Sequence, residues 1–332
     1  MKPNVRLLAS LLGCALAPAT VAAQPFETFG TRAAGMGGAF VAVADDASAV
    51  YWNPAGLASG SFFSLLIDRS TGTVKADNPL VGTGRSCVAI ALGAPPIGLS
   101  YYRLRRTYTS AVAQPTIVPG GNLPIHVESL VTHHAGVTVL HSLTDAIAVG
   151  ATLKLVRGIA AAGVSSGLDR DDVLAGSGDE FSGRASTKFD ADVGIMASLG
   201  ILKAGLTVRN LAEPEFPSAQ SGRALKADRQ VRAGVSFLAL QSWLMAIDFD
   251  LTRETDPFGD RRNIAAGLEG RVHRRASVRG GVRVNTLDAV ERLAAVTGGA
   301  SLAVFGSTFV DGQVTAGSSS ERGWGIAARV LF

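Results

Sequence analysis

From Trp243 to Leu251 the hydrophobic side chains fall on every second residue. Trp243, Met245, Ile247, Phe249 and Leu251 share one parity, and Asp248 and Asp250 sit on the other. An extended strand sends alternate side chains to opposite faces, so this segment has one apolar face and one that carries two acids. The pattern recurs. Phe189, Val193 and Ile195 oppose Lys188, Asp190 and Asp192, and Leu202, Ala204, Leu206 and Val208 oppose Lys203 and Arg209. Ile264, Leu268 and Val272 oppose Glu269 and Arg271, while Val278, Val282 and Val284 oppose Arg279 and Arg283. Counting alternation predicts about fourteen strands, at residues 62–68, 86–93, 97–106, 130–140, 146–157, 187–199, 201–209, 230–239, 243–251, 263–272, 276–285, 295–304, 308–315 and 323–332.

A soluble sandwich would show the same period, so the connections decide. Short links near Pro95-Pro96, Ser142-Leu143-Thr144, Gly200, Leu240-Gln241, His273-Arg274-Arg275 and Gly306 alternate with long ones. The long ones cover 69–85, 107–129, 158–186, 210–229, 252–262, 286–294 and 316–322. Strict short–long alternation is expected of a transmembrane, antiparallel up-and-down β-barrel with tight periplasmic turns and longer external loops. An even strand count then leaves both chain ends on the periplasmic side. The last strand places Trp324, Ile326, Ala328, Val330 and the terminal Phe332 on one parity and Arg329 on the other. Such an amphipathic strand ending in phenylalanine is expected to be the signal that outer-membrane assembly machinery reads.

Composition adds compartment. Lys2 and Arg6, the apolar run Leu7–Ala17 and Val21-Ala22-Ala23 read as a signal peptide over residues 1–23, with the mature chain starting at Gln24. The chain is 47% hydrophobic, yet beyond the leader no run reaches the roughly 18 apolar residues of a spanning helix. Cys87 is then the lone cysteine, so no intramolecular disulfide forms. The expected location is the outer membrane. Four tyrosines and three tryptophans are few for two aromatic girdles. Arg103, Arg105, Arg157 and His133 fall on the apolar parity near external strand ends, where anionic headgroups cap the lipid. Outer-membrane lipid and lipopolysaccharide are accordingly expected partners.

The opposite parity faces the lumen. There Lys154, Lys188, Lys203, Arg209, Arg232, Arg271, Arg279, Arg283 and Arg329 meet Asp190, Asp192, Asp248, Asp250 and Glu269. Paired charges filling the lumen are the simplest reading of nine cations and five anions.

The segment Phe29–Ala58, FGTRAAGMGGAFVAVADDASAVYWNPAGLA, resembles the N-terminus of the FadL-like superfamily of outer-membrane barrels, with Asn53-Pro54-Ala55 as its most recognisable mark. Within that superfamily it looks closest to the PorV-like branch, which GLTVRNLAEPEF (Gly205–Phe216) and AIDFDLTRETDPFGD (Ala246–Asp260) also resemble. The resemblance implies fourteen strands and an N-terminal hatch in the lumen, here residues 24–60, with the barrel over 61–332. Hatch and gating candidates are Gly35, Gly37, Gly38, Asp45, Asp46, Trp52, Asn53, Pro54 and Ala55. Small residues suit a plug that touches a wall on all sides. Asp45 or Asp46 is expected to cap a turn over Ala47–Tyr51, and Pro54 to end it by pushing Asn53 out of helical conformation. A polar wall leaves an apolar pocket to come from hatch side chains or from the external loops.

The resemblance implies passage of hydrophobic or amphipathic small molecules; the alternative is a non-transporting scaffold that holds a partner of a secretion system. A third reading, a serine hydrolase, rests on Gly163-Val164-Ser165-Ser166-Gly167, but Lys154 and Arg157 on the preceding strand do not suit a buried nucleophile elbow. Adjacent His133 and His134 point to opposite strand faces, so no metal is expected, and no cofactor either. Gly35-Met36-Gly37-Gly38 lacks the strand before it and the Lys-Ser/Thr after it that a phosphate loop needs. The net charge of +4 is scattered along strands, which argues against a nucleic-acid partner.

Overall fold

The computed structural model describes residues 29–112, 123–176, 183–218, 224–239, 242–256, 259–287 and 294–332. The leader 1–23, the start at Gln24 and the Leu240-Gln241 link lie outside the described residues.

Fourteen strands close into one antiparallel barrel. In chain order its first seven are β1 Ser64–Lys75, β2 Gly82–Ala94, β3 Ile97–Ala111, β4 Ile125–Ser142, β5 Ile147–Ser165, β6 Arg184–Leu199 and β7 Leu202–Arg209. A small hairpin of β8 Glu215–Pro217 and β9 Ala224–Lys226 follows, then β10 Gln230–Ala239 and β11 Trp243–Asp250. A second small hairpin, β12 Glu254–Asp256 and β13 Gly259–Arg261, precedes the rest: β14 Asn263–His273, β15 Ala276–Asn285, β16 Ala294–Phe305, β17 Thr308–Gly317 and β18 Arg322–Leu331. Each barrel strand pairs with the next in the chain, and β1 pairs with β18 from Ser64↔Leu331 to Thr73↔Arg322 to close the ring. Among the described residues there are also three short α-helices, α1 Thr31–Gly35, α2 Ala49–Trp52 and α3 Arg170–Ala175, and a 3₁₀ turn Pro54–Ser59.

The alternating segments and the barrel strands correspond one to one. The faces are those of a membrane barrel rather than of a soluble sandwich. Phe189 is 60% exposed on the outside, whereas the next residue, Asp190, is fully buried inside. Along β11 the outward Met245, Ile247 and Phe249 are exposed and the inward Ala246 and Asp248 are buried.

The sequence pattern ended several strands too early. β5 continues to Ser165 rather than 157, β4 begins at Ile125 rather than 130, and β1 reaches Lys75 rather than 68. In these extensions the wall is covered on both faces, so alternation fades: Ala160, Ala161 and Ala162 are buried in succession, as are Arg105, Arg106 and Thr107. A continuous buried run carries no period-2 signal.

The lumen holds the main apolar core. Residues from Phe29 to Leu57 are enclosed by the strands, and Phe29, Phe40, Val41, Tyr51 and Trp52 are buried within it.

Candidate functional site

The enclosed N-terminal segment enters through α1, whose Thr31 amide donates to Asp68 Oδ2 on β1 at 2.6 Å. After α1 the chain reverses at Gly37 and Gly38, both with positive φ (70° and 85°), a conformation only glycine adopts without strain. Gly37 also lies against the wall: a Cβ there would sit 2.8 Å from the Val282 carbonyl oxygen on β15. The chain then hangs from three strands. The Phe40 and Val41 amides donate to Asp248 Oδ2 at 2.8 and 2.9 Å. Ser236 donates to the Ala42 carbonyl at 2.9 Å, and Thr297 to the Gly35 carbonyl at 3.0 Å.

Asp46 stands at the next bend. Its Oδ1 accepts from the Ser48 amide at 2.9 Å and from the Ser48 hydroxyl at 2.5 Å, while its Oδ2 faces Arg32 at 3.1 Å and Arg329 at 3.0 Å. Burial opposes its charge, but Arg329, Arg32 and the Ser48 hydrogen bonds outweigh burial and hold the carboxyl well below the usual carboxylate range. Asp45 pairs with Arg32 at 2.5 Å.

α2 ends at Asn53, whose φ of −163° and ψ of 103° are extended, as the following proline demands. The Asn53 side chain then uses both of its ends. Oδ1 accepts from the Ala55 amide at 3.2 Å, capping the 3₁₀ turn Pro54–Ser59, and Nδ2 donates to the carbonyls of Val41 (3.0 Å) and Ile195 on β6 (3.1 Å). Pro54 and Asn53 rest on Gly150 and Gly194, which face each other across β5 and β6. A Cβ at either glycine would overlap the turn.

Around this segment the charges form a closed ring. Arg32 pairs with Glu269 (2.7 Å), Glu269 with Arg279 (3.1 Å), Arg279 with Asp311 (3.4 Å) and Asp311 with Arg329 (2.5 Å). Arg329 returns through Asp46 to Arg32, so three cations and three anions alternate and tie α1 and the Asp46 bend to β14, β15, β17 and β18. A second cluster on β5–β7 joins Lys154 to Asp190 (3.1 Å) and Asp192 (2.7 Å), with Arg209 3.9 Å from Asp192 and its guanidinium 3.5 Å from the Tyr51 ring centre. Arg232 pairs with Asp250 at 2.6 Å, and Glu321 bridges Arg85 (2.6 Å) and Arg283 (2.7 Å).

Of the lumen cations expected from sequence, three stand apart. Lys188 is exposed, and Lys203 and Arg271 instead line a cavity of about 380 Å³ below the N-terminal segment, together with Asp45 and Leu244. Arg32, Asp68, Arg85, Asp311 and Glu321 carry much of the network beyond the lumen residues expected from sequence. For Asp311 the signal existed, since Val310 and Val314 oppose it; Arg85 and Glu321 fell in segments read as loops.

The outer lumen differs from the middle. On the outside of the wall, α3 packs over the outward-facing Gly82 and Gly84 of β2 and over β3, where Arg105 donates to the Val173 carbonyl at 3.3 Å. The β8–β9 hairpin drops Phe216 against Gly158 and completes a buried apolar cluster of Tyr108, Leu130, Val156, Ala160, Phe216 and Leu225. A packed apolar cluster therefore exists at the external end, built by a loop. The hydrolase motif has no such support: Ser165 is the last residue of β5 and pairs with Ile125 of an antiparallel strand, whereas a nucleophile elbow follows a parallel one. His133 and His134 do separate, His133 contacting Tyr101 at 2.8 Å outside and His134 stacking on Tyr102 inside. Phe332 closes the seam: its amide donates to the Phe63 carbonyl at 2.9 Å, and the two rings lie 6.1 Å apart.

The closed fourteen-strand barrel with its enclosed N-terminal segment is a fold shared with solved structures of low sequence identity. They superpose over most of the chain. The CymD monoaromatic hydrocarbon channel matches with a TM-score of 0.65 at 14% identity, covering 93% of this chain and 99% of its own. The Ralstonia pickettii toluene transporter TbuX matches at 0.61 and 15% (92% and 99% covered), and a Pseudomonas aeruginosa FadL homologue at 0.61 and 11% (93% and 99%). A family model described as F plasmid transfer operon, TraF, protein matches residues 124–250. Comparison with curated proteins gave no match.

Proposed function

We propose that this protein is an outer-membrane barrel through which hydrophobic or amphipathic small molecules pass, with residues 24–60 acting as a hatch. The observation that carries this reading is the buried apolar cluster under the β8–β9 hairpin, above a lumen closed by the N-terminal segment. A greasy ligand entering from outside would displace these packed apolar side chains first, and would meet a polar, ion-paired wall only at the hatch. The structures that share the fold include a hydrocarbon channel and a toluene transporter, which supports the same class of cargo. The reading is tested by uptake of a fluorescent hydrophobic probe into cells with and without the gene. Equal uptake, together with no lipid-like ligand on the purified barrel, would refute it.

A second reading has its own observation. The closed ion-pair ring fills the middle of the lumen, as expected of a scaffold that passes nothing and presents loops to a secretion partner, the PorV-like role. Stable co-purification of a secreted or periplasmic protein, with probe uptake unchanged, would favour it. Neither reading assigns an enzymatic activity.

A further inference from the structure

Close to the short turns the inner wall changes character. The inward residues of β10 run Gln230, Arg232, Gly234 and Ser236, and then Leu238. Those of β11, followed in the same direction, run Asp250, Asp248 and Ala246, and then Leu244. Leu238 and Leu244 are register partners, so two apolar side chains stand side by side on a face that is otherwise polar or small. The N-terminal segment leaves them partly bare. Leu238 is 40% exposed, and both leucines line the cavity of about 380 Å³ beside Ala42, Val43 and Asp45.

Cations flank this apolar pair. On one side Lys203 lies opposite Ser236, one inward position above Leu238. On the other side Leu244 lies opposite Glu269, and Arg271 follows Glu269 on the same face of β14. The two carboxylates that line the cavity are already bound to arginines: Asp45 to Arg32 at 2.5 Å, and Glu269 to Arg32 at 2.7 Å and to Arg279 at 3.1 Å. Lys203 and Arg271 stand outside that ring, and among the described residues neither takes part in an ion pair. Leu240 and Gln241, which join β10 to β11 in the chain, bring no acid. Gly200, Ile201 and Arg271 are exposed, so the cavity opens at the short-turn end of the barrel.

A cavity of this size, with apolar surface and a few placed polar groups, is what a small ligand needs. Leucines that face the lumen gain nothing from lipid, and an apolar group laid on them removes that surface from water. Lysine and arginine beside them select a negative charge through charge-assisted hydrogen bonds. We infer that this cavity binds an amphipathic anion, a compact aryl or short-chain carboxylate, with its charged group on Lys203 and Arg271 and its apolar body on Leu238 and Leu244. The site stands on the cavity and not on transport: the same chemistry receives a ligand from the periplasm or one that has passed the hatch.

The test titrates the full-length barrel, purified in an uncharged detergent, with 2-naphthoate and reads fluorescence anisotropy against empty micelles. The comparators 2-naphthalenemethanol and 2-naphthylmethylamine keep the ring and remove or reverse the charge. The site predicts about ten-fold tighter binding of naphthoate than of either, and about ten-fold weaker naphthoate binding by Lys203→Gln/Arg271→Gln. Lys203→Arg/Arg271→Lys should restore most of it. Arg274→Gln/Arg275→Gln, in the adjoining turn, should bind as the parent does, whereas Leu238→Ser/Leu244→Ser should bind naphthoate several-fold more weakly. Heat-modifiable migration first shows that each variant is folded; a pair that fails this check is replaced by Lys203→Gln or Leu238→Ala alone. Equal binding of the alcohol would overturn the assignment, as would normal binding by the Gln variants. Naphthoate uptake by cells with and without the gene then separates the two sources of a bound ligand. A difference marks cargo that has passed the hatch, and equal uptake beside specific binding marks a periplasmic ligand; both leave the site in place.

Discussion

Asn53 is held against Gly194. Its Nδ2 donates to the carbonyl of Ile195, the residue after Gly194, at 3.1 Å, and its Oδ1 lies where a Gly194 Cβ would stand. The pair explains why an asparagine before a proline and a glycine in mid-strand belong together: the amide reaches the β6 backbone only because the wall lacks a side chain there.

Gly194→Val should therefore dislodge Asn53 and Pro54 while leaving the barrel closed. Overpacking of this kind costs about 1–3 kcal/mol. Heat-modifiable migration should persist, while limited proteolysis should newly cut between Ala44 and Ser59. A protease pattern identical to the parent's would show that Asn53 is not seated as described.

Asn53→Ala removes two donations and one cap, and leaves the Val41 and Ile195 carbonyls without that partner. The expected loss is about 2–3 kcal/mol, read as an earlier change in Trp52 fluorescence during urea unfolding. Asn53→Asp should be as damaging, because an acceptor cannot donate to two carbonyls.

Acid should loosen the N-terminal segment and the Glu321 bridge. Burial favours the protonated form of Glu321, yet Arg283 and Arg85 outweigh it and hold the carboxyl at about 2, and Asp46 is likewise held low. Both groups titrate lower folded than unfolded. Their stabilisation is thus complete above about pH 4.5 and is lost as pH falls toward the folded values. Asp46→Asn should flatten that acid dependence and cost about 3 kcal/mol at neutral pH, since it breaks a buried ion-pair ring. An unchanged acid midpoint would count against Asp46 as a keystone of the ring.

Phe216→Ala empties the apolar cluster at the external end. The barrel should assemble normally, while uptake of a hydrophobic probe falls several-fold if that cluster is the first binding place. A parallel Gly158→Leu variant should expel the ring and lower uptake in the same way. Normal uptake in both would move the entry point elsewhere and weaken the transport reading.

Much of the architecture was legible in the chain itself. The alternation at Trp243–Leu251 and its repeats determine that strands form, which faces are apolar and, with short and long links in strict alternation, that they close up-and-down. Those are local properties, set by the two-residue period of a strand and by the length of chain between strands. Lys154, Asp192, Arg232 and Arg329 could be assigned to the lumen on parity alone. Who meets whom was decided only by closure. Arg32 finds Glu269, and Asp46 finds Arg329, because the N-terminal segment threads a ring whose ends join at β1 and β18. The parity that put Lys203 and Arg271 inside could not tell that they lie at the rim, since parity gives a face and not a height. Lys203, Leu238, Leu244 and Arg271 came to line one cavity for the same reason: sequence spacing records position along a strand, and only the register between strands sets residues side by side.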